Sequence, residues 1–252
     1  MKIIVAPDYV EFSGWFHDII QNFYEKEGEV LWNGRNVIKR FEIDGKSFVV
    51  KKYKRANLVQ RVVYTLFKKS KARRAFEFAE EYRRLGIDTP RQVAYVEQKE
   101  AGFFTIGYFI AENCAKPGIL ELLPRDSDGE DEFDNDAARA IAAEICKLHR
   151  MGVVHGDLNL SNFLYERDEK GEFHFTLIDI NRTKFYTPNR KQCAVNLARV
   201  THNREQLEFI VREYCAIRKW EFEPFYAEVY ATLRHRERQK SFKRFIRNGF
   251  KH

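Results

Sequence analysis

From residue 29 onward the chain alternates apolar and polar positions in short runs, the period-two signature of β-strands. Runs at 29–32, 37–43 and 46–53 are separated by Asn33-Gly34-Arg35-Asn36 and by Asp44-Gly45. Asn-Gly and Asp-Gly favour tight hairpins, because both central residues take positive φ. The pattern therefore predicts a three-stranded antiparallel meander. Two more strands, at 93–96 and 103–110, flank a polar turn at 97–102 and bring the predicted sheet to five strands. Residues 1–28 read as a short strand, a turn at Pro7-Asp8 and an aromatic-rich segment. There Ile19, Ile20 and Phe23 have helical spacing and are expected to pack.

Elsewhere the apolar period lengthens to that of a helix. Leu58, Val62, Leu66 and Phe67 recur at helical spacing inside a stretch, 51–74, with ten Lys/Arg and no acidic residue. A second helix is expected over 70–85, closed by Gly86 and by Pro90 shortly after. It carries Glu77, Glu80 and Glu81. A third begins at Asp134 or Asn135, buries Ala138, Ile141, Ala142, Ile145 and Leu148, and runs to Met151-Gly152. His149 lies on or near that stripe and reads as a packed histidine. Residues 163–165 and 173–178 form a predicted hairpin across Asp168-Glu169-Lys170-Gly171. Helices are expected over 192–200 and 204–218. The segment 126–136, with seven acidic residues, reads as a solvated linker.

Composition narrows the class. A chain of 252 residues can bury a substantial core as one domain or two packed lobes. The net charge of +7 points to an anionic partner: phosphates, nucleic acid or an anionic membrane. The second basic stretch, 233–252, has eight Lys/Arg against one Glu with aromatic residues between them. With the first, it favours a membrane-surface role. No run approaches the eighteen or so apolar residues of a membrane span. Cys114, Cys146, Cys193 and Cys215 are widely spaced, which reads as free thiols in a reducing compartment and not a zinc site.

The candidate chemistry lies in His155-Gly156-Asp157-Leu158-Asn159-Leu160-Ser161-Asn162 and, further on, in Leu177-Ile178-Asp179-Ile180. A loop offers a carboxylate and a carboxamide five residues apart, and a second carboxylate ends a strand. Such oxygen ligands suit a hard cation carrying phosphates. Asn162 and Asp179 would grip the metal, leaving Asp157 as a free base. A competing reading makes His-Gly-Asp a plain corner with a capping Asp.

These residues resemble the catalytic loop and metal-binding Asp of protein-kinase-like phosphotransferases. Gly156 stands in place of the usual Arg, as in kinases of small molecules and sugars. Asp179-Ile180-Asn181-Arg182 replaces D-F-G, and no A-P-E segment follows. Strand alternation puts Val49 and Lys51 on one face and Phe48, Val50 and Lys52 on the other, without saying which face meets a nucleotide. The resemblance selects Lys51 for the α- and β-phosphates and Val49 for the adenine. It further implies Gly34 in a turn over the phosphates, Glu77 holding Lys51 (with Glu80 and Glu81 as alternatives), and Glu112 in a hinge at 111–114.

Within that superfamily the chain is similar to the lipopolysaccharide kinase family of Kdo and core-heptose kinases. The residues that carry the likeness are Val49-Val50-Lys51, Lys68-Lys69-Ser70-Lys71-Ala72-Arg73-Arg74, Gly86-Ile87-Asp88-Thr89-Pro90, the loop from Leu148 to Leu158, and Ile178 to Arg182. The resemblance implies a bilobal α+β kinase-like fold. Its N-lobe, 1–111, would hold the five-stranded antiparallel sheet and αC helix, and its mostly helical C-lobe would span 112–252. It also implies ATP and Mg2+, and a sugar hydroxyl of a lipid-linked saccharide as acceptor. The setting would be cytoplasmic, peripheral at the inner face of a bacterial inner membrane, with no specific nucleic acid as partner. Arg182 would pair an anionic acceptor or be structural. The alternatives are a protein kinase, or a pseudokinase serving as a surface-binding module.

Overall fold

The computed structural model describes residues 1–124 and 133–249, with side chains throughout except at 243–245 and 247–249. The acidic run expected over 126–136 thus lies mostly outside the described residues, as do 250–252 of the basic C-terminal stretch. The chain divides into two compact units. One comprises Met1–Ala115 together with Thr176–Arg182, the other Lys116–Phe175 with Thr183–His252. The expected boundary at 111/112 did not include the return of 176–182 to the first unit.

The first unit is built on an antiparallel sheet. In chain order its elements are β1 (Lys2–Val5), a 3-10 turn (Pro7–Phe12), α1 (Ser13–Gln21), β2 (Glu29–Asn33), β3 (Val37–Ile43) and β4 (Lys46–Lys52). Then come α2 (Leu58–Leu66), α3 (Lys71–Arg84), β5 (Gln92–Glu100) and β6 (Phe103–Glu112). The sheet has six strands, in the order β1-β5-β6-β4-β3-β2, and not the expected five. The added strand is the N-terminal one, which pairs with β5 in the register Ile3↔Val96 and Val5↔Ala94. Strand β5 extends past the predicted 93–96 to Glu100, and β1 takes the edge of its first half, Ala94–Glu97.

Asp44-Gly45 turns as expected, with φ of 48° and 73°. Asn33-Gly34 does not. Residues 34–36 form a longer loop, and neither Asn33 nor Gly34 has positive φ. A Cβ on Gly34 would stand 2.7 Å from Trp32 Nε1, so any other residue there would displace that exposed ring. Helix α3 ends as predicted, in a Schellman arrangement. Gly86 has φ 72°, the Gly86 N–H reaches Arg83 C=O, and the Ile87 N–H reaches Tyr82 C=O.

One face of this sheet is closed by α1 and the aromatic residues around it. Phe48 and Val50 are fully buried there, with Phe12, Trp15 and Phe16 around the Phe48 ring. Lys39 is buried too, its ammonium donating to the carbonyls of Phe23 and Lys26 at 2.9 and 3.2 Å. On β4 the packing of Phe48 and Val50 leaves Val49 and Lys51 to the opposite face.

The second unit is mostly helical. It contains α4 (Asn135–Arg150), β7 (Val153–Val154), β8 (Phe163–Arg167) and β9 (Phe173–Leu177), whose last two residues belong to the first unit. Next come β10 (Lys184–Phe185), α5 (Arg190–Leu197), α6 (Arg204–Arg218) and α7 (Phe222–Gly249). The Asp134 carboxylate caps α4 by accepting from the Ala137 N–H at 2.8 Å. The predicted stripe of α4 is buried, and the helix packs against α6. Strand β7, which leads into the loop at 155–162, pairs with β10. Among the described residues no helix is long and apolar enough to cross a membrane.

Candidate active site

The first unit brings Lys51 and Asp179 together. Lys51 Nζ donates to Asp179 Oδ1 at 2.6 Å, with the lysine side chain 14% exposed. Lys52, on the other face of β4, lies over the Tyr24 ring at 3.8 Å. Asp179 has φ 54°, a left-handed conformation that Asp tolerates better than most residues. It is held there from two directions. Asp88 and Thr89 clamp the strand before it: the Leu177 N–H donates to Asp88 C=O at 2.9 Å, and Thr89 Oγ1 donates to Leu177 C=O at 2.7 Å. Thr176 also donates to the Asp88 carboxylate. After it, the buried Asn181 donates Nδ2 to Asp179 Oδ1. The Gly-Ile-Asp-Thr-Pro turn is therefore the latch that presents Asp179.

The field around this carboxylate is strongly positive. The Lys71 ammonium is pushed below its usual range by burial, then by Arg35, Arg182 and Arg74, with Asp179 opposing. Burial raises the Tyr53 hydroxyl, and Asp179 adds to the rise. Arg35 belongs to the loop after β2, Lys71 and Arg74 to α3, and Arg182 to the turn after Asp179. Lys51 and Lys71 thus both meet the Asp179 carboxylate, and Arg35, Arg74 and Arg182 lie near enough to act on Lys71, an arrangement suited to a polyphosphate.

The expected Lys51–Glu77 pair is not formed. Glu77 accepts instead from Lys69 at 2.8 Å and Arg73 at 2.9 Å. Burial opposes its ionisation, but these two hydrogen bonds prevail and hold its pKa below the ordinary carboxylate value. Arg73 lies one turn before Glu77 on α3, so the pair closes locally. The face of α3 that senses Asp179 carries Lys71 and Arg74, not a glutamate. Of the two alternatives, Glu81 pairs with Arg84 and Glu80 is exposed. Val49 is half-buried and Gly34 lies in the loop that carries Arg35. The Glu112 carboxylate accepts from the Tyr9 hydroxyl, and its N–H donates to Arg91 C=O at 2.9 Å. The Asn113 N–H likewise donates to Ser47 C=O at 2.9 Å.

In the second unit Asp157 and Asn162 occupy one loop. Asn162 Nδ2 donates to the Asp157 carbonyl at 2.8 Å, which fixes the carboxamide and leaves its oxygen free to accept. The Asp157 N–H donates to His155 Nδ1 at 3.3 Å, so His155 carries its proton on Nε2. Behind the loop runs a buried chain of polar groups. Asn196 Nδ2 donates to His155 C=O at 2.9 Å, and Asn196 Oδ1 lies 3.0 Å from His149 Nε2. His149 Nδ1 lies 2.9 Å from the Tyr214 hydroxyl. Burial lowers the His149 pKa to about 4, so the ring is neutral and donates to Asn196. The Leu160 N–H joins the loop to Val200 C=O at 3.1 Å. Arg236 of α7 donates to Ala198 C=O at 2.7 Å. It is held below its usual pKa by burial and by Arg199, with Asp157 opposing.

The residues that support these groups lacked a local signal. Asn181 stood beside a recognised motif, but its role needed coordinates. Asn196 and Arg236 lie in ordinary helical sequence. The donor chemistry fits a magnesium ion: Asp179 offers a carboxylate, and the buried Asn181 Oδ1 beside it has no hydrogen-bond partner among the described residues.

Comparison with known proteins agrees with this chemistry. A sequence model of the lipopolysaccharide kinase (Kdo/WaaP) family matches residues 22–220. A 3-deoxy-D-manno-octulosonic acid kinase of Vibrio cholerae serotype O1 is 25% identical over 173 residues, covering 62% of this chain and 72% of that protein. A protein of the same name from Vibrio vulnificus is 26% identical over 94 residues, covering 37% of this chain and 38% of its own. Among solved structures, WaaP in complex with acyl carrier protein superposes with a TM-score of 0.61 at 19% identity. That match covers 95% of this chain and 98% of WaaP, and it establishes a shared mixed α/β, kinase-like fold.

Proposed function

The chain belongs to the lipopolysaccharide kinase (Kdo/WaaP) family, and from that premise we propose that it transfers the γ-phosphate of ATP to a Kdo or heptose hydroxyl of a lipid-linked saccharide. That it is a kinase of lipopolysaccharide biosynthesis follows from the family; ATP, magnesium and the acceptor are our reading. The observation that carries it is the Lys51–Asp179 pair set in a field of cations.

In this reading Lys51 settles the phosphates, and Arg35, Lys71 and Arg74 balance their charge as the leaving group departs. Asp179 and Asn162 supply ligands to magnesium, with Asn181 keeping Asp179 in place; the ion, when bound, neutralises phosphate charge. Asp157 accepts or orients the proton of the acceptor hydroxyl, a role contributing about 10²–10⁴-fold. The His149–Asn196 chain keeps the Asp157 loop from shifting. Because the acceptor is carried on lipid, the protein works at an anionic membrane surface. A contact with an acyl carrier protein, as in the WaaP structure, is the second partner reading for its basic surface.

The test is mass spectrometry of lipid A–core saccharide after incubation with protein and magnesium-ATP. Wild type adds one phosphate, and Asp157→Ala and Asp179→Ala do not. Acceptor phosphorylation that survives both changes overturns the proposal, and phosphate found on protein instead of saccharide favours a protein kinase.

A further inference from the structure

Helix α2 has no buried residue, although more than half its positions are large and apolar. Leu58 is 78% exposed, Leu66 65% and Phe67 76%, with Val59 and Val62 beside them. Leu58, Val62 and Leu66 follow at four-residue steps, so they make one ridge along the helix. The helix is attached by its other side. Thr65 Oγ1 accepts from the Phe104 N–H at 2.9 Å, and the Tyr64 ring meets Phe104 edge-on. Its start is fixed by a reciprocal cap between Asn57 and Gln60. The ridge is thus a preformed, convex apolar surface facing away from the unit.

Cations flank it on both ends. Lys54, Arg55 and Arg61 stand at its N-terminal half, and Lys68 and Lys69 follow it. Arg55 and Arg61 pair with Glu100, whereas Lys54 and Lys68 make no ion pair among the described residues. At the C-terminal end a cleft of about 340 Å³ opens, lined by Lys2, Lys68, Lys69, Arg73 and Lys99 against the carboxylate of Glu97. Leu66 and Phe67 form part of its rim.

We propose that α2 and this cleft are a docking surface for an anionic lipid bilayer, with the ridge entering the acyl boundary and the cleft receiving phosphate headgroups. This rests on the reading that the acceptor is lipid-linked. The observations select this occupant. A bilayer accepts a convex apolar ridge without needing a matching groove, and its anionic headgroups complement the flanking lysines. Nucleic acid would use the cations but not an aliphatic ridge. A second copy of this chain would bring like charges against like.

The test is co-sedimentation of the full chain with phosphatidylcholine vesicles, with and without phosphatidylglycerol. Phosphorylation of a delipidated, soluble acceptor saccharide is measured in parallel. Wild type binds only the anionic vesicles. Leu58→Ser/Phe67→Ser lowers that partition about tenfold or more, without changing charge. Lys54→Gln/Lys68→Gln lowers it several-fold, as does added salt. Neither pair alters turnover of the soluble acceptor. Equal binding to uncharged vesicles, or unchanged binding by Leu58→Ser/Phe67→Ser, overturns the proposal. So does loss of binding only on Phe242→Ser/Ile246→Ser, which would move the anchor to α7. If the ridge variant instead abolishes self-association or capture of an acyl carrier protein while vesicles are untouched, the ridge is a protein contact and the proposal falls. Failure of the wild type to phosphorylate the soluble acceptor would count against the kinase reading, independently of vesicle binding.

Discussion

Lys51 Nζ is bonded to Asp179 Oδ1 at 2.6 Å across 128 residues of sequence, while Glu77, the expected partner of this lysine, is held by Lys69 and Arg73. Lys51, proposed here to settle phosphate, is therefore oriented by Asp179 and not by the α3 helix. Lys51→Met and Asp179→Asn should each lower kcat about a hundredfold or more, and the double variant should lose little beyond either alone. Glu77→Gln should stay within about threefold of wild-type kcat and show its effect as a lower Tm. A fall with Glu77→Gln as large as that with Lys51→Met, seen in steady-state kinetics, would restore the helix glutamate to the site.

Asn181 is buried, donates to Asp179, and keeps an unpartnered oxygen beside it. Asn181→Ala should lower activity or magnesium affinity by roughly 10–100-fold, as loss of a group supporting a metal ligand does. The signature is a magnesium titration displaced to higher concentration, with part of the activity regained at excess metal. An unchanged titration would make Asn181 a packing residue only.

Asn196 links His149 to the carbonyl of His155, immediately before the loop that carries Asp157. Asn196→Leu removes the Asn196 hydrogen bonds to the His155 carbonyl and to the buried His149 ring nitrogen. The expected cost is about 1–3 kcal/mol for each buried group left unpaired. Denaturant unfolding reads that loss, and kcat should fall along with it as the Asp157 loop loosens. A stability loss with full activity would separate the buried chain from the site.

His149 is neutral in the fold, with its pKa lowered by burial to about 4. An unfolded chain would protonate this ring near pH 6.5, so it binds the extra proton first as pH falls. His149 therefore contributes stability in full above about pH 6.5, and that contribution is lost progressively down to about pH 4. The size is of order 3 kcal/mol. Tm measured against pH should fall through this window in wild type and flatten in His149→Gln. Parallel curves for the two proteins would contradict the assignment.

Several elements were legible because their causes are local. The alternation of 37–43 and 46–52 and the Asp44-Gly45 turn appear where they were read, as do the buried stripe of α4 and the glycine closure of α3. Turn chemistry and residue period are written within a few positions of each other. Asn33-Gly34 misled for the same reason: the pair sits at the start of a longer loop in which Gly34 does not take a positive φ. The N-terminal strand was visible but its partner was not, since period two says nothing of which edge a strand joins.

By itself the sequence determined the likeness to a kinase family, through Asp157 and Asn162 five residues apart, the later Asp179, and Lys51 at the end of a β-strand, because residue type and spacing carry that likeness. Only the tertiary structure decided that Lys51 meets Asp179, that Glu77 does not meet Lys51, that Asn181 and Asn196 brace the two sets, and that the apolar side of α2 stays uncovered. Those outcomes turn on which buried polar group finds a partner and which face of an element is packed first. Both are settled by competition among residues far apart in the chain, which no local pattern contains.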